Sequence, residues 1–455
     1  MPSLSTQTPI ADDSDHLTST VFRLAGPVLV ERVSVSVLGA VDALIVGHYV
    51  GGDAVAAVGI SGLLFWIPLA GAFGLDIATT AVIARDYGAG ETRSLDRTLR
   101  ASLLIAFLWG ALAAALLWTF AGPLLTMMGV DSEVKSFGID YIRAASISFP
   151  LMMVMYAASG AMRGLGNTVI PMVMALLLNV VNAAVAFLLI SGVIGIELEV
   201  LGSGIGTAAG SAVGGLLAIA ALTLGIGPVR YRLGQALITG RNEVRRLANI
   251  GLPAGLEEVQ FMVAFLAYTR IISGFGTASL AAHTIALRTL ELAIVPGFAF
   301  GAAATTLVSR YLGAKRPDLA ERAAVMSQMA AIGTMVVLGG LLAIFAPQFV
   351  ALFVDDDEVV KIGSRLLRIF SIALPFMGLH ASLGGALRGA GDVRYVLGVL
   401  TVTAWLVRIP VAVILATVVG LGAPGAWAGA ALENVVRGAL IWHRFRSGKW
   451  KEREV

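Results

Sequence analysis

Cysteine is absent from this 455-residue chain, and charged residues make up only 13% of it. Without cysteine the chain forms neither disulfide bonds nor thiolate metal ligands. The five histidines lie far apart in the sequence and form no local metal motif. No paired histidines and no serine motif with a suitable base appear, so we predict no enzymatic activity and no cofactor. The polar start lacks an early basic cluster, and we predict a cytoplasmic tail rather than a cleavable signal.

Hydrophobic residues are abundant, at 57% of the chain with a mean hydropathy of +0.86. Apolar runs of roughly 20 residues, the length at which a helix crosses a bilayer, recur from end to end. Backbone groups in lipid must bond within their own segment, which favours helices. We therefore predict an all-α integral membrane protein with twelve spans, at 20–46, 54–80, 98–121, 137–160, 168–191, 203–226, 246–271, 278–304, 322–346, 362–385, 393–418 and 424–443.

Basic residues alternate between the loops, and such residues set membrane orientation. Loops after even-numbered spans carry arginine and lysine, for example Arg93 and Arg97, whereas the opposite loops carry mainly acids, for example Asp131 and Glu133. This pattern places both termini in the cytoplasm of a multi-pass protein in the inner (plasma) membrane. Scattered loop bases that flank spans favour this interpretation over nucleic-acid binding.

The chain is internally duplicated. The segment "ARDYGAGETRSLDR" at 84–97 aligns with "SRYLGAKRPDLAER" at 309–322, and the same offset aligns "AMRGLG" at 161–166 with "ALRGAG" at 386–391. Each half holds six spans, so both halves share one orientation, and two bundles around a central cavity would suit alternating access. The predicted divisions are an N-terminal tail at 1–19, a first lobe at 20–227, a linker at 228–245, a second lobe at 246–443 and a basic tail at 444–455.

Several passages in order resemble one transporter family. They are "GPVLVERVSVSVLGAVDALIVGHYVGGDAVAAVG" in the first span, "VIARDYGAGE" after the second, "GLPAGLEEV" in the seventh, "AAHTIALRTLELAIVPGFAFGAAATTLVSRYLGAK" in the eighth and "ALRGAGD" after the tenth. The chain is identified as similar to the multidrug and toxic compound extrusion (MATE) family, DinF-like branch. The resemblance implies a cation-coupled antiporter that expels bulky, often cationic and amphipathic compounds. We expect a monomer in the lipid bilayer with no nucleic-acid partner.

Asp42 is the leading coupling candidate, because an acid at mid-helix costs roughly 2.5–3.5 kcal/mol to insert. Alternatively, it lies near the outer helix end, where it is hydrated or caps a neighbour. Pro27 precedes it by about four turns, so a bend there could follow protonation of Asp42. The competing interpretation is that Pro27 merely starts the helix.

By resemblance, Asp42 is joined in some family members by polar groups of the fifth and sixth spans, which correspond here to Asn182 and Thr207. Where such members carry a second acid, this chain has Ala186. A site with one carboxylate should hold sodium less firmly, so we predict proton coupling, with Na⁺ at Asp42 as the alternative. Asn179 and Asn182, three residues apart, could equally be interhelical hydrogen-bonding groups.

Arg288, Asn179 and Met155 are candidates for substrate-cavity or gating roles, and Arg408 is a further buried-charge candidate. Arg288, in the middle of the eighth span, either faces the cavity or pairs locally with Glu291. Met155 would suit a promiscuous apolar cavity, although such a residue more often packs between helices or faces lipid. Arg408 is a buried charge without an assigned partner.

Glu31 and Glu257 occupy equivalent places in the two halves, which favours a structural role near the cytoplasmic face. The sequence thus predicts a proton-coupled exporter of amphipathic organic cations. Two alternatives remain: a Na⁺-coupled exporter, and a lipid-linked precursor flippase of the wider superfamily. The flippase interpretation predicts a broad cationic cavity, whereas mid-membrane bases are few here.

Overall fold

A computed structural model of the chain describes residues 16–193, 195–225 and 240–453, and within these ranges it contains helices and no strands. The first half forms α1 Leu17–Tyr49, α2 Gly52–Gly88, α3 Thr92–Met127, α4 Ser132–Ser146, α5 Phe149–Gly164, α6 Val169–Ile190 and α7 Glu199–Leu224. The second half forms α8 Arg241–Ser273, α9 Thr277–Gly313, α10 Pro317–Ile344, α11 Ala346–Ala351, α12 Asp357–Ser371, α13 Leu374–Gly389, α14 Val393–Val418, α15 Gly422–Arg446 and a short 3₁₀ turn, Lys449–Glu452. Residues 1–15, 228–239 and 454–455 of the predicted tails and linker lie outside the described residues.

Among the described residues, eight helices are long and apolar enough to cross a membrane, and two bent helix pairs bring the number to ten. The first and last predicted spans, 20–46 and 424–443, coincide with α1 and α15. Every one of the twelve predicted spans therefore has a helical counterpart.

Two predicted spans are not continuous helices, which corrects the sequence-based expectation. The span at 137–160 consists of α4 and α5, which meet at 54°, and the span at 362–385 consists of α12 and α13, which meet at 49°. Pro150 and Pro375 lie in the first turn of the second helix of each pair. Proline donates no backbone hydrogen bond and its ring clashes with the preceding turn, so each helix restarts at this point.

The chain divides into two compact units, and the boundaries differ from the predicted lobes. The N-terminal unit is Val30–Gly255, and the C-terminal unit contains the described residues up to Leu29 and from Leu256 onward. Helices α1 and α8 each continue from one unit into the other. The start of α8 belongs to the N-terminal unit because Arg246 Nη2 binds Asp86 Oδ1 at 2.6 Å. The start of α1 belongs to the C-terminal unit, where Phe22 packs edge-on against Phe300.

The two units repeat one packing contact. In the N-terminal unit the Thr80 hydroxyl donates to the Gly160 carbonyl at 3.1 Å, and in the C-terminal unit the Thr305 hydroxyl donates to the Gly385 carbonyl at 2.9 Å. One and the same sequence offset relates the two threonines and the two glycines. Glycine at the accepting position lets the helices approach closely, as is common between membrane helices. The duplication seen in the sequence is thus a duplication of contacts.

Candidate functional site

Asp42 lies in the part of α1 that belongs to the N-terminal unit. Its side chain is buried at 7% exposure, and its Oδ1 atom has no hydrogen-bond partner. No lysine or arginine of the described chain forms an ion pair with it. A buried carboxylate without a base must be stabilised by a proton or a bound cation, because an isolated charge is costly to dehydrate. The alternative in which Asp42 caps a neighbour is not what the structure shows.

The structure brings Asn182 and Thr207 together. Asn182 Nδ2 donates to Thr207 Oγ1 at 3.3 Å, which joins α6 to α7. The Tyr141 hydroxyl of α4 lies 3.4 Å from the same Thr207 oxygen, and Tyr141 also interacts electrostatically with Asp42. The Asn182 Oδ1 atom is buried and without a partner. The hydrogen bonds join α4, α6 and α7, and Asp42 of α1 belongs to the same polar network through its electrostatic interaction with Tyr141, not through a hydrogen bond.

Small residues of α7 explain why α6 and α7 can share hydrogen bonds. A methyl group added at Gly206 would lie 2.8 Å from the Asn182 carbonyl oxygen and 2.9 Å from the Ala186 Cβ atom. Ala186 is itself fully buried. The position at which a second acid would stand is thus filled by close helix packing, and Asp42 is the one carboxylate of this network.

The remaining predicted side chains have different surroundings. Both side-chain polar atoms of Asn179 are buried and neither is hydrogen-bonded, so Asn179 does not join helices in this structure. Met155 is buried against α7, where a methyl group on Gly214 would lie 2.5 Å from its sulfur atom. Arg288 is 71% exposed and its Nη1 atom lies 3.4 Å from Glu291 Oε2, which is the local pair. Pro27 lies within α1 and does not start it.

The equivalent glutamates have equivalent arginine partners. Arg163 Nη1 donates to both Glu31 oxygens at 3.0 and 2.9 Å. Arg388 donates to Glu257 Oε2 through Nε at 3.1 Å and Nη2 at 2.5 Å. The two arginines, like the two glutamates, are equivalent under the internal duplication. Each pair fastens α1 or α8 close to the residue at which that helix changes unit.

Sequence reasoning missed Asp76, although the signal that identified Asp42 also applies to it. Asp76 is an acid inside the apolar helix α2, and its Oδ1 atom accepts from Arg163 Nη2 at 2.7 Å. Tyr141 was missed as well, because a tyrosine in a span has no pattern that sets it apart. Its proximity to Thr207 depends on the packing of α4 against α7.

Arg408, which had no assigned partner, belongs to a charged cluster in the C-terminal unit. Its Nη2 atom lies 2.7 Å from Glu433 Oε2 on α15, and Arg437 of the same helix binds the other oxygen of Glu433. The Thr403 hydroxyl donates to Glu433 Oε1 at 3.1 Å. Arg408 ends a π-helical turn, Ala404–Arg408, that interrupts α14. Such turns occur frequently at functional positions.

These observations define a class: a multi-pass helical membrane protein made of two repeated units, with an unpaired acid buried in one of them. The family model MatE matches residues 27–188 and 253–414, one stretch in each half. The chain belongs to the MATE family of multidrug transporters.

Curated relatives agree along nearly the whole length. The probable multidrug resistance protein NorM of Thermotoga maritima is 25% identical over 98% of this chain and 95% of its own length. The multidrug resistance protein PmpM of Pseudomonas aeruginosa is 28% identical over 86% of this chain and 82% of its own. The crystal structure of the Vibrio cholerae MATE transporter VcmN in the bent form matches with a TM-score of 0.87, 23% identity, and coverage of 96% of this chain and 98% of that one.

MATE proteins are secondary transporters, so this chain is a transporter and not an enzyme. The twelve-helix, two-lobe architecture predicted from the sequence is confirmed by its likeness to solved MATE structures. The DinF-like branch assignment stays a prediction.

Proposed function

We propose that the chain is a proton-coupled multidrug antiporter that exports amphipathic, mostly cationic organic compounds by alternating access. The observation that carries the proposal is Asp42: a buried carboxylate on a membrane helix, with an unpartnered oxygen and no base beside it. Protonation makes this side chain neutral and lets it repack, whereas ionisation makes it attract a cation or hydrogen-bond donors. One proton therefore changes both the charge of the network and the preferred packing of α1.

Pro27 supplies a place where that change can bend the helix. It lies inside α1, where it removes one backbone hydrogen bond, and it is two residues from Leu29, the last α1 residue of the C-terminal unit. A bend at Pro27 would change the angle between the part of α1 that carries Asp42 and the part that precedes Pro27. The proposal therefore assigns Pro27 the role of hinge and Asp42 that of trigger.

Sodium is the second candidate ion, because Asn182 Oδ1 and the hydroxyls of Thr207 and Tyr141 are oxygens of the kind that alkali cations bind. The proton is preferred because this network has a single carboxylate, with Ala186 tightly packed where another acid would stand. Less negative charge weakens a metal-ion site, whereas a proton needs only one carboxylate oxygen.

The proposal includes the setting of the transporter. Arginine-rich loops on one side favour an inner-membrane protein with cytoplasmic termini, and we propose that it acts as a monomer without a cofactor. Relatives are named as multidrug resistance proteins, which supports drugs as the substrate class. The buried acid Asp42, which has no ion-pair partner in the described chain, favours cations among those drugs.

The decisive experiment uses purified protein in proteoliposomes. Uptake of a fluorescent organic cation is measured under an imposed pH gradient and, separately, under a sodium gradient, with wild type, Asp42→Asn and a matched Asp53→Asn control at an exposed acid of α2. We expect proton-driven uptake in wild type and Asp53→Asn and none in Asp42→Asn. Sodium-driven uptake without a pH gradient would overturn the choice of ion.

Two other results would contradict the role of Asp42 or the proposed substrate class. Undiminished proton-driven uptake by Asp42→Asn would remove Asp42 from the mechanism. If neither gradient drives transport of an organic cation by active protein, the lipid-linked precursor flippase is favoured over drug export.

A further inference from the structure

The charged cluster of the C-terminal unit contains more positive than negative charge. Glu433 Oε2 accepts from Arg408 Nε at 3.1 Å and Nη2 at 2.7 Å, while Glu433 Oε1 accepts from Thr403 and from Arg437. Both oxygens of the one carboxylate are occupied, and two guanidinium groups share its charge. The neighbouring Glu257 is bound by Arg388 and also interacts electrostatically with Arg437. Within the hydrogen-bonded cluster itself, two guanidinium groups share one carboxylate.

Three hydrogen-bond donors in this cluster are unused. Arg408 and Arg437 each bond through Nε and Nη2, and within the described chain neither Nη1 group has a partner. The hydroxyl of Tyr268 is buried without a hydrogen bond, and the side chain is only 4% exposed. The Tyr268 ring lies 5.8 Å from the guanidinium carbon of Arg408, so these groups belong to one site. Leaving the buried Tyr268 hydroxyl unpaired is costly unless a ligand satisfies it.

The duplication shows that this cluster is not needed to pack a six-helix unit. In the N-terminal unit, Gly210 lies against Leu178, where an added methyl group would be 2.5 Å from the carbonyl oxygen. Under the offset that relates Gly160 to Gly385, Leu178 corresponds to Thr403, which bonds Glu433. Two residues are missing between these helices in the second half, and the resulting offset of 223, which relates Gly206 to Gly429 and Gly215 to Gly438, places Glu433 at the position of Gly210. The same fold is thus built with a glycine where the C-terminal unit has a buried glutamate.

The other members follow the same correspondence. Gly214, four residues after Gly210, matches Arg437, four residues after Glu433. Tyr268 follows Asp42 by the same number of residues as Glu257 follows Glu31, so Tyr268 is the counterpart of Asp42 in the C-terminal unit. The C-terminal unit therefore has a tyrosine and two arginines in the region where the N-terminal unit has its acid network. The carboxylate of Asp42 is thus replaced by a neutral phenol, and Gly210 and Gly214 are replaced by a glutamate and an arginine.

We propose that Arg408, Arg437 and Tyr268 form an oxyanion-binding site for the phosphate or carboxylate group of an amphipathic molecule. Guanidinium groups bind such oxygens through paired, charge-assisted hydrogen bonds, and a buried phenol adds one directed donor. The Glu433 carboxylate holds the two arginines in place and leaves their Nη1 groups for the ligand. The site goes beyond proton coupling, because binding here requires no change at Asp42.

Binding is tested with the full chain in phosphatidylcholine nanodiscs. Dodecyl phosphate and dodecyltrimethylammonium, which share a tail and differ in charge, are titrated calorimetrically into wild type, Tyr268→Phe and Arg437→Met. Tyr268→Phe removes only a hydroxyl, and Arg437→Met leaves the bonded Arg408–Glu433 pair intact. Arg288→Met, at an exposed arginine, is the matched control.

We expect wild type and Arg288→Met to bind dodecyl phosphate equally, and each site variant to bind it at least about tenfold more weakly. Asp42→Asn should bind it as wild type does, which separates this result from the proposed proton coupling. Unchanged affinity in both site variants, checked to be folded by their unfolding midpoints, would overturn the site. Binding of dodecyltrimethylammonium that Tyr268→Phe weakens equally would overturn its selectivity for anions.

A second arm distinguishes the sources of the anion. The titration is repeated in nanodiscs that contain phosphatidic acid. Loss of dodecyl phosphate binding there identifies a lipid headgroup phosphate as the occupant. Unaltered binding identifies the anionic group of an exported compound, and either outcome retains the site.

Discussion

Replacing Gly74 by alanine should destabilise the N-terminal unit, because two helices touch there through their backbones. A methyl group at Gly74 on α2 would overlap the Gly251 carbonyl oxygen and lie 2.7 Å from the Gly255 nitrogen on α8. That separation is about 1 Å short of an ordinary contact. Since the opposing atoms are backbone atoms, no rotamer change can relieve the overlap and the helices must separate.

The magnitude follows from two opposed effects. Overpacking of this kind costs about 1–3 kcal/mol, whereas alanine in place of a helical glycine contributes about 0.5–1 kcal/mol of stability. We expect a net loss of about 1–2 kcal/mol for Gly74→Ala. Gly62→Ala is the matched control on the same helix, because nothing lies within 4 Å of its added methyl group. It should retain only the stabilising effect.

The assay is unfolding in mixed micelles with increasing SDS, followed by the fluorescence of the seven tryptophans. The two variants should shift the midpoint in opposite directions from wild type. A Gly74→Ala protein as stable as the Gly62→Ala protein would refute the close crossing of α2 and α8.

Two further predictions concern single side chains. Arg163→Met leaves the Glu31 and Asp76 carboxylates without their cation, and the same SDS assay should show a loss of stability of about 3–5 kcal/mol. The control Arg288→Met, at an exposed pair, should change stability by at most about 1 kcal/mol. Equal losses in the two variants would contradict the difference in burial. Thr207→Val removes the oxygen that accepts from the Asn182 amide, so proton-driven uptake in proteoliposomes should fall by about fivefold; an unchanged rate would exclude this oxygen from the coupling network.

Much of the fold could be predicted from the sequence because its causes are local or repeated. Apolar length identifies a membrane helix wherever it lies in the fold, and a constant offset between similar segments identifies the two halves without any knowledge of their packing. Asp42 could be found in the same way, since an acid in an apolar run is costly irrespective of its neighbours. The same local signal was present at Asp76, and only its consequence, the bond to Arg163, needed coordinates.

Pairings between helices could not be obtained in this way. Arg408 is an isolated charge in the sequence, and its partner Glu433 lies on the next helix. Tyr141 joins the Asp42 network through Thr207, which is distant in sequence, across the contact of α4 with α7. Residues so far apart are brought together by helix packing, which apolar periodicity does not specify.

By itself, the sequence determined the class of the protein, its twelve spans, the duplication and the acid of the first span, because hydrophobicity, repeat spacing and charge are properties of residues in order. The tertiary structure decided where α1 and α8 change from one unit to the other, that Glu31 and Glu257 have equivalent arginine partners, and that Arg408 and Arg437 share the Glu433 carboxylate. The physical reason is that a buried charge is stabilised by whichever groups the packing places beside it, and those groups come from other helices.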